Sequence, residues 1–258
     1  MPYCCGHLRR GTSRKRRSVT VMSDSELTPQ LDELAAAHRF LAVEGHEDRT
    51  SGHLSWRDPA GRGFWMKRSH IGMDEALGAS DMLLVDWDGK VLAGTGSRHH
   101  EWPIHSEILR VRPDVHAVGH THAFYSQIFA STDEPLRPIA KEGAWFDDQP
   151  KFQETCSLIR TPELGVRVAK TLGKSDAVFL MAHGIAFVGS TIRECTMVGI
   201  YLESAVRAQC TIAMTGFKYR WPDEADARDK RSQTRTTAGI DNYWAYMVRR
   251  DEAMRKTP

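Results

Sequence analysis

Ala117-Val118-Gly119-His120-Thr121-His122 is the stretch on which the reading of this chain turns: a short apolar run that ends in two histidines one residue apart. In an extended strand, alternate residues share a face and their Cα atoms lie about 6–7 Å apart. Two imidazoles held that way can bind one metal ion at roughly 2.0–2.1 Å per nitrogen. A third candidate, His183, follows a second strand-like run, Val178-Phe179-Leu180-Met181, and precedes Gly184. Upstream, Glu101 supplies a carboxylate. Three histidines and one carboxylate make a metal-site inventory with an acid/base included, and that combination points to an enzyme.

The surrounding sequence places these residues among alternating strands and helices. From Asp24, Leu27, Leu31, Leu34 and Leu41 recur near helical spacing until Gly45 breaks the pattern. Gly52-His53-Leu54-Ser55-Trp56 and Phe64-Trp65-Met66 read as strands flanking an Asp58-Pro59-Ala60-Gly61 turn. Met82–Asp86 and Val91–Ala93 form a predicted hairpin through Asp88-Gly89. Pro103 suits the first turn of a helix striped by Ile104, Ile108 and Val111, which Pro113 stops. Beyond the histidine strand a short helix is expected from Tyr125 to Ala130. Thr161-Pro162-Glu163 opens another, with Leu164, Val168 and Leu172 on one face. Thr191-Ile192-Arg193-Glu194 fits a capping box at the head of a long helix carrying Cys195, Val198, Leu202, Ala205 and Gln209. The polar stretch Asp223–Thr237 reads as a loop before a last helix with Tyr243, Trp244 and Met247. Interleaved helices together with hairpins predict an α/β protein with a mixed or antiparallel sheet covered by helices, rather than a doubly wound parallel one.

A chain of 258 residues, 41% hydrophobic and 26% charged, is long enough for one domain with a sizeable core. No apolar run approaches the roughly 18–20 residues needed to span a membrane. The five cysteines include no Cys-x-x-Cys pair, so the expected compartment is the reducing cytoplasm. The net charge of +2 conceals an asymmetry: residues 1–21 carry six basic and no acidic side chains. The remainder holds 29 basic and 33 acidic residues, a net charge of −4. Residues 1–21 are read as a disordered arm or a start assigned too early. Residues 22–258 are read as one catalytic domain that includes a C-terminal loop and helix from about 217. Neither nucleic acid nor membrane is expected as a partner.

Several motifs occur in a characteristic order: Gly52-His53-Leu54-Ser55, Ala79-Ser80-Asp81 leading to Asp86 and Gly89, Glu101-Trp102-Pro103-Ile104-His105, Arg112-Pro113-Asp114-Val115-His116-Ala117-Val118-Gly119-His120-Thr121-His122, and Ala182-His183-Gly184. In that combination, over roughly residues 27–216, the chain resembles the class II aldolase/adducin family. The resemblance implies a single-domain α/β/α fold with a central, mainly antiparallel sheet. It also implies a homotetramer with sites near subunit boundaries and one divalent metal per subunit. On the matching positions, His120, His122 and His183 would be the ligands and Glu101 the acid/base. Zinc or manganese leads the metal candidates, followed by cobalt or iron. His105, one helical turn beyond Glu101, is a candidate supporting residue behind the metal ligands.

The departures from the family pattern bear on substrate. Sugar-phosphate aldolases of the family bind phosphate with an Asn in the first glycine-containing loop, a Thr-Gly element and a Ser-Ser pair just before the catalytic Glu. Here His53 stands at the Asn position, Arg68-Ser69-His70-Ile71-Gly72 replaces the Thr-Gly element, and His99-His100 replace the serines. His53, Arg68, His99 and His100 are therefore candidate contacts to a carboxylate, which guanidinium grips bidentately and protonated imidazole meets with charge-assisted bonds. Trp56, Trp65 and Trp102 adjoin these motifs as candidate pocket walls. The expected activity is that of a metal-dependent carbon–carbon lyase, a decarboxylase of a non-phosphorylated hydroxyphthalate- or hydroxypyridine-dicarboxylate-like acid. Alternatives are an aldolase acting on a hydroxy-keto acid or sugar phosphate, and a non-catalytic adducin-like interaction module. Adducin-type domains drop the metal ligands, whereas this chain keeps three histidines and Glu101.

Overall fold

The computed structural model describes residues 24–256, so the readings made for residues 1–21 and for a start at Met22 lie outside the described residues. Eight short strands, β1 (His53–Arg57), β2 (Gly63–Lys67), β3 (Met82–Asp86), β4 (Val91–Ala93), β5 (Ala117–Thr121), β6 (Lys151–Phe152), β7 (Ala177–Leu180) and β8 (Gly184–Gly189), join in one sheet. Their spatial order is β4-β3-β2-β1-β5-β8-β7-β6. Every neighbouring pair is antiparallel except β6 with β7.

Alternation along the strands divides the core in two. Leu54, Trp65, Leu84, Ala117, Phe179, Ile185 and Phe187 point to one face. Phe64, Met66, Leu83, Val85, Val118, Val178, Leu180, Ala186 and Val188 point to the other. Because both faces are covered, the central strands are apolar on both sides instead of alternating apolar and polar. The first face packs on α1 (Thr28–Leu41), α5 (Ile192–Met214), the end of α3 (Phe124–Phe129), and Trp244 and Met247 of α7 (Thr237–Arg255). The second packs on α2 (Trp102–Val111) and α4 (Pro162–Leu172). The result is the expected α/β/α layering with a mainly antiparallel central sheet.

Capping side chains set several helix starts. Thr161 Oγ1 accepts the Leu164 N–H at the head of α4, and Thr191 Oγ1 accepts the Glu194 N–H at 3.0 Å at the head of α5. The return half of the predicted capping box goes one residue further back: Glu194 accepts from the backbone N–H and hydroxyl of Ser190, not from Thr191. In α2, Ile104 and Ile108 are fully buried, while Val111, at the helix end, is exposed.

The loop expected over Asp223–Thr237 is instead a helix, α6 (Glu224–Thr234), followed at once by α7. Asp223 caps α6 by accepting the N–H groups of Ala225 and Asp226, and Thr236 caps α7. Ala227 is the buried residue of α6, so the helix shows no apolar stripe for periodicity to detect. Ion pairs fasten it instead: Arg231 to Asp147 at 2.9 Å, and Arg235, just past its end, to both Asp176 and Glu194. Among the described residues, no helix is long and apolar enough to cross a membrane.

Candidate metal and catalytic centre

Three separate segments meet at one end of the central strands. β5 carries His120 and runs into His122, and β8 lies beside it with Thr121 opposite Ile185. That pairing brings the tight β7–β8 turn, with His183, alongside the histidine pair. The turn is demanding: Ala182 has φ +50, a left-handed conformation costly for a residue with a Cβ. At Gly184 a Cβ would lie 2.3 Å from the Thr121 carbonyl oxygen and 2.8 Å from the His122 ring, so only glycine permits this approach. Glu101 enters from the head of α2.

One ligand atom from each of Glu101, His120, His122 and His183 falls within 4.8 Å of all the others. Glu101 Oε2 is 3.5 Å from His120 Nε2, and its Oε1 is 3.3 Å from His183 Nε2. Oε1 also accepts the backbone N–H of Ile159 at 2.7 Å. Burial raises the Glu101 carboxyl, but positive charge between it and the His120 and His183 rings, whether a ring proton or a bound cation, outweighs burial and holds the group well below the usual carboxylate range.

The hydrogen bonds determine which ring nitrogens face inward. His120 Nδ1 lies 2.9 Å from the Ile185 carbonyl oxygen, and His122 Nδ1 lies 2.8 Å from Asp48 Oδ2. Both partners can only accept, so each Nδ1 carries the proton and each neutral ring turns an Nε2 lone pair inward. Those Nε2 atoms, and both ring nitrogens of His183, are buried without a hydrogen-bond partner. Lone pairs converging beside a carboxylate are costly unless a cation lies at their focus. The donor set therefore fits a divalent ion, and its outer bonds match the way metal-bound histidines are held by a carboxylate or carbonyl.

A cavity of about 330 Å³ opens beside this cluster. Of the expected substrate contacts, His53, His99 and His100 line it, as do Glu101 and His122. Arg68 does not: its Nε bonds Asp81 at 3.1 Å. The segment 68–72 instead contributes Ser69 and His70, the latter with φ +67. Trp56, Trp65 and Trp102 are also absent from the lining; Trp65 bonds Asp58 and Trp102 packs under the Arg98 guanidinium.

His53 and His99 do not supply the positive charge expected of them. Burial lowers His99 to about 2, with Lys67 adding to the effect, and burial with His99 beside it takes His53 well below its ordinary value. Both are neutral hydrogen-bonding groups at physiological pH. His105 touches none of the three cluster histidines through a hydrogen bond. It lies between His53 Nδ1 and Ser55 Oγ, 2.7 Å from each, and so props His53 rather than the cluster.

Sequence reasoning missed Asp48, His46, Arg98 and Arg160. Asp48 and His46 lie in the irregular segment after α1, where His46 Nδ1 bonds Thr121 Oγ1 at 2.8 Å and braces β5 between its two histidines. No spacing pattern links them to residues more than seventy positions away. Arg98 and Arg160 line the cavity. Arg98 directly precedes the His99-His100 pair, which drew attention to the place but not to the residue.

A three-layer α/β/α domain with three histidines and a glutamate at the ends of its central strands has the build of a metal-assisted lyase. The chain belongs to the Class II Aldolase and Adducin N-terminal domain family, whose model matches residues 32–210. It is 29% identical over 188 residues to the Meiotically up-regulated gene 14 protein of Schizosaccharomyces pombe, covering 71% of each chain. It is 28% identical over 200 residues to a 3,4-dihydroxyphthalate decarboxylase of Arthrobacter keyseri, covering 71% of this chain and 78% of that one. In fold it is similar to an L-fuculose 1-phosphate aldolase from Glaciozyma antarctica, with a TM-score of 0.74 at 24% identity over 93% of this chain and 95% of that one. The chain is a lyase of the class II aldolase family.

Proposed function

We propose that this lyase is a divalent-metal-dependent decarboxylase of a non-phosphorylated hydroxy-aromatic acid, of the hydroxyphthalate or hydroxypyridine-dicarboxylate kind, working as a homotetramer in the cytoplasm. The observation that carries the reading is the juxtaposition of a complete histidine–glutamate cluster with a cavity whose lining includes two arginines, five histidines and one acidic residue, Glu101. Such a lining favours an anionic substrate. The histidines standing where the family's phosphate-binding residues would be are largely uncharged, a poor match for a phosphate dianion. Likeness to a dihydroxyphthalate decarboxylase supports the same choice.

In this reading His120, His122 and His183 would hold the ion: outer hydrogen bonds leave one Nε2 lone pair free on each of His120 and His122, and both ring nitrogens of His183 are unpartnered. When bound, such an ion would supply Lewis acidity beside the substrate. Glu101 is held ionised beside the cavity and takes the proton of the substrate hydroxyl. It then returns that proton to the ring carbon bearing the departing carboxylate. The carbon–carbon bond breaks with its electron pair left on the ring, carbon dioxide leaves, and a solvent proton restores the hydroxyl. His99 and His53, neutral and partly walled off from solvent, orient the departing carboxylate by hydrogen bonds without charge.

The test is a steady-state assay over a panel of hydroxyphthalates and hydroxypyridine dicarboxylates, with and without divalent metal. Release of carbon dioxide only with metal is expected. Aldehyde formation from a hydroxy-keto acid or sugar phosphate, with no carbon dioxide from the panel, assigns aldolase chemistry instead. Elemental analysis that finds no stoichiometric ion in active protein removes the metal from the account.

A further inference from the structure

We propose that Arg160 grips the carboxylate which the substrate keeps through the reaction, and so makes this lyase selective for dicarboxylates over monocarboxylates. The inference rests on the decarboxylase reading and adds a specificity-determining residue to it.

The argument begins with which cations at the cavity are free. Arg98 is committed: its Nε donates to the Gly89 carbonyl, its Nη1 to the His99 carbonyl at 3.2 Å, and its guanidinium lies 5.1 Å over the Trp102 ring. Arg68 is held by Asp81 and does not reach the lining. His53 is engaged by His105, 2.7 Å from its Nδ1, and its ring packs against that of His99 with centroids 4.2 Å apart. Of the arginines, that leaves Arg160, which lines the cavity with an exposed side chain and whose guanidinium has no hydrogen-bond or ion-pair partner among the described residues. The one acidic side chain of the lining is Glu101, which accepts the Ile159 N–H and faces the His120 and His183 rings rather than Arg160.

The backbone that carries Arg160 is fixed on both sides. Ile159, fully buried, donates its N–H to Glu101 Oε1 at 2.7 Å. The Arg160 N–H turns back onto the Leu158 carbonyl at 3.0 Å. Thr161, the next residue, caps α4. The chain is thus tied to the reacting carboxylate one residue before Arg160 and to a helix start one residue after it. An unpaired guanidinium carried on a backbone that is tied to the catalytic carboxylate one residue earlier is suited to a second anionic group on the same ligand. Its planar fork matches a carboxylate through two parallel bonds. An aromatic ring holds its two carboxylates at constant separation, so one can lie at the cluster while the other meets Arg160. A monocarboxylate offers nothing to the second position.

Binding of phthalate and benzoate to the metal-loaded full chain, read by calorimetry, tests this without turnover, since neither probe carries the hydroxyl the reaction needs. Wild type is expected to bind phthalate about 10- to 100-fold more tightly than benzoate. Arg160→Met should erase that ratio and leave benzoate binding unchanged. Arg160→Lys, which keeps charge but not the fork, should retain part of it. An unchanged melting temperature verifies that each variant folds, as expected for an exposed side chain. A phthalate-to-benzoate ratio indifferent to Arg160→Met, or equal weakening of both probes, overturns the inference. Carbon dioxide release with an indifferent ratio removes the Arg160 assignment alone. An Arg160-dependent ratio without carbon dioxide from any hydroxylated substrate removes the decarboxylase reading and leaves the carboxylate grip in place.

Discussion

Asp48 shows how much of the candidate centre depends on single side chains outside the motifs. Its carboxylate receives the Nδ1–H of His122 at 2.8 Å, which fixes both the tautomer and the ring orientation of that histidine. Asp48→Asn keeps the shape but removes the charge, and an amide presenting its NH2 group would favour the opposite tautomer. Metal affinity, measured by competition with a chelator, is expected to fall about 10- to 100-fold. Glu101→Gln is expected to keep the fold and lower turnover by at least about 100-fold, because the glutamine cannot relay a proton. Measuring metal content beside turnover separates loss of the ion from loss of the proton carrier. The four cluster residues were legible in sequence because two of them lie one residue apart at the end of a strand-like run and the others sit in distinctive motifs. Asp48 was not, because nothing local distinguishes an aspartate in the loop after α1 from any other loop aspartate. Arg68 misled for the converse reason: its position in the motif was right, but Asp81, thirteen residues on, claims its guanidinium.

β5 owes its seat to a missing side chain. A Cβ at Gly119 would lie 2.3 Å from the Phe187 ring, and a Cβ at Gly199 of α5 would lie 2.7 Å from the same ring. Phe187 thus fills a slot between strand and helix that exists only because both residues are glycine. Gly119→Ala forces the ring or the strand to move and is expected to cost about 1–3 kcal/mol. The cost should appear as a lower denaturant midpoint with unchanged slope, and activity should drop with it because His120 is the next residue. Helix starts with a threonine cap were readable because the cap and its N–H partner lie three residues apart. α6 was not readable: its stability comes from Asp223 at its head and from Arg231 and Arg235 reaching acidic residues far away in sequence.

The whole molecule should be acid-labile through histidines that are buried uncharged. His38 Nδ1 donates to the Leu34 carbonyl at 2.7 Å, and its Nε2 accepts the Leu54 N–H at 2.9 Å, an arrangement only the neutral ring can make. It pins α1 to β1. Burial, reinforced by Lys67, lowers His38 to about 3, and burial likewise lowers His46 to about 3. The unfolded chain protonates both near 6.5 while the folded chain does not. Their stabilisation is therefore complete above about pH 6.5 and is lost as pH falls from there towards 3. Each ring withdraws about 1.4 kcal/mol per pH unit across that window. Urea midpoints measured from pH 7.5 to pH 4.5 should decline steeply below pH 6.5. His38→Gln, which can also donate and accept, should flatten the decline; a profile unaltered by that substitution would sink the assignment.

The sequence by itself determined a mainly antiparallel sheet covered by helices, the strands and helices with apolar periodicity, the capped helix starts, and the histidine–glutamate set that the fold gathers into one cluster. These are carried by spacing within a strand, a turn or a motif, so they survive in one dimension. The tertiary structure alone decided which arginine stays free at the cavity, which carboxylate holds His122, which histidines are neutral, and that a polar segment near the C-terminus is helical. Each of these depends on burial or on a charged partner far along the chain, and the fold creates such pairings only when it closes the distance.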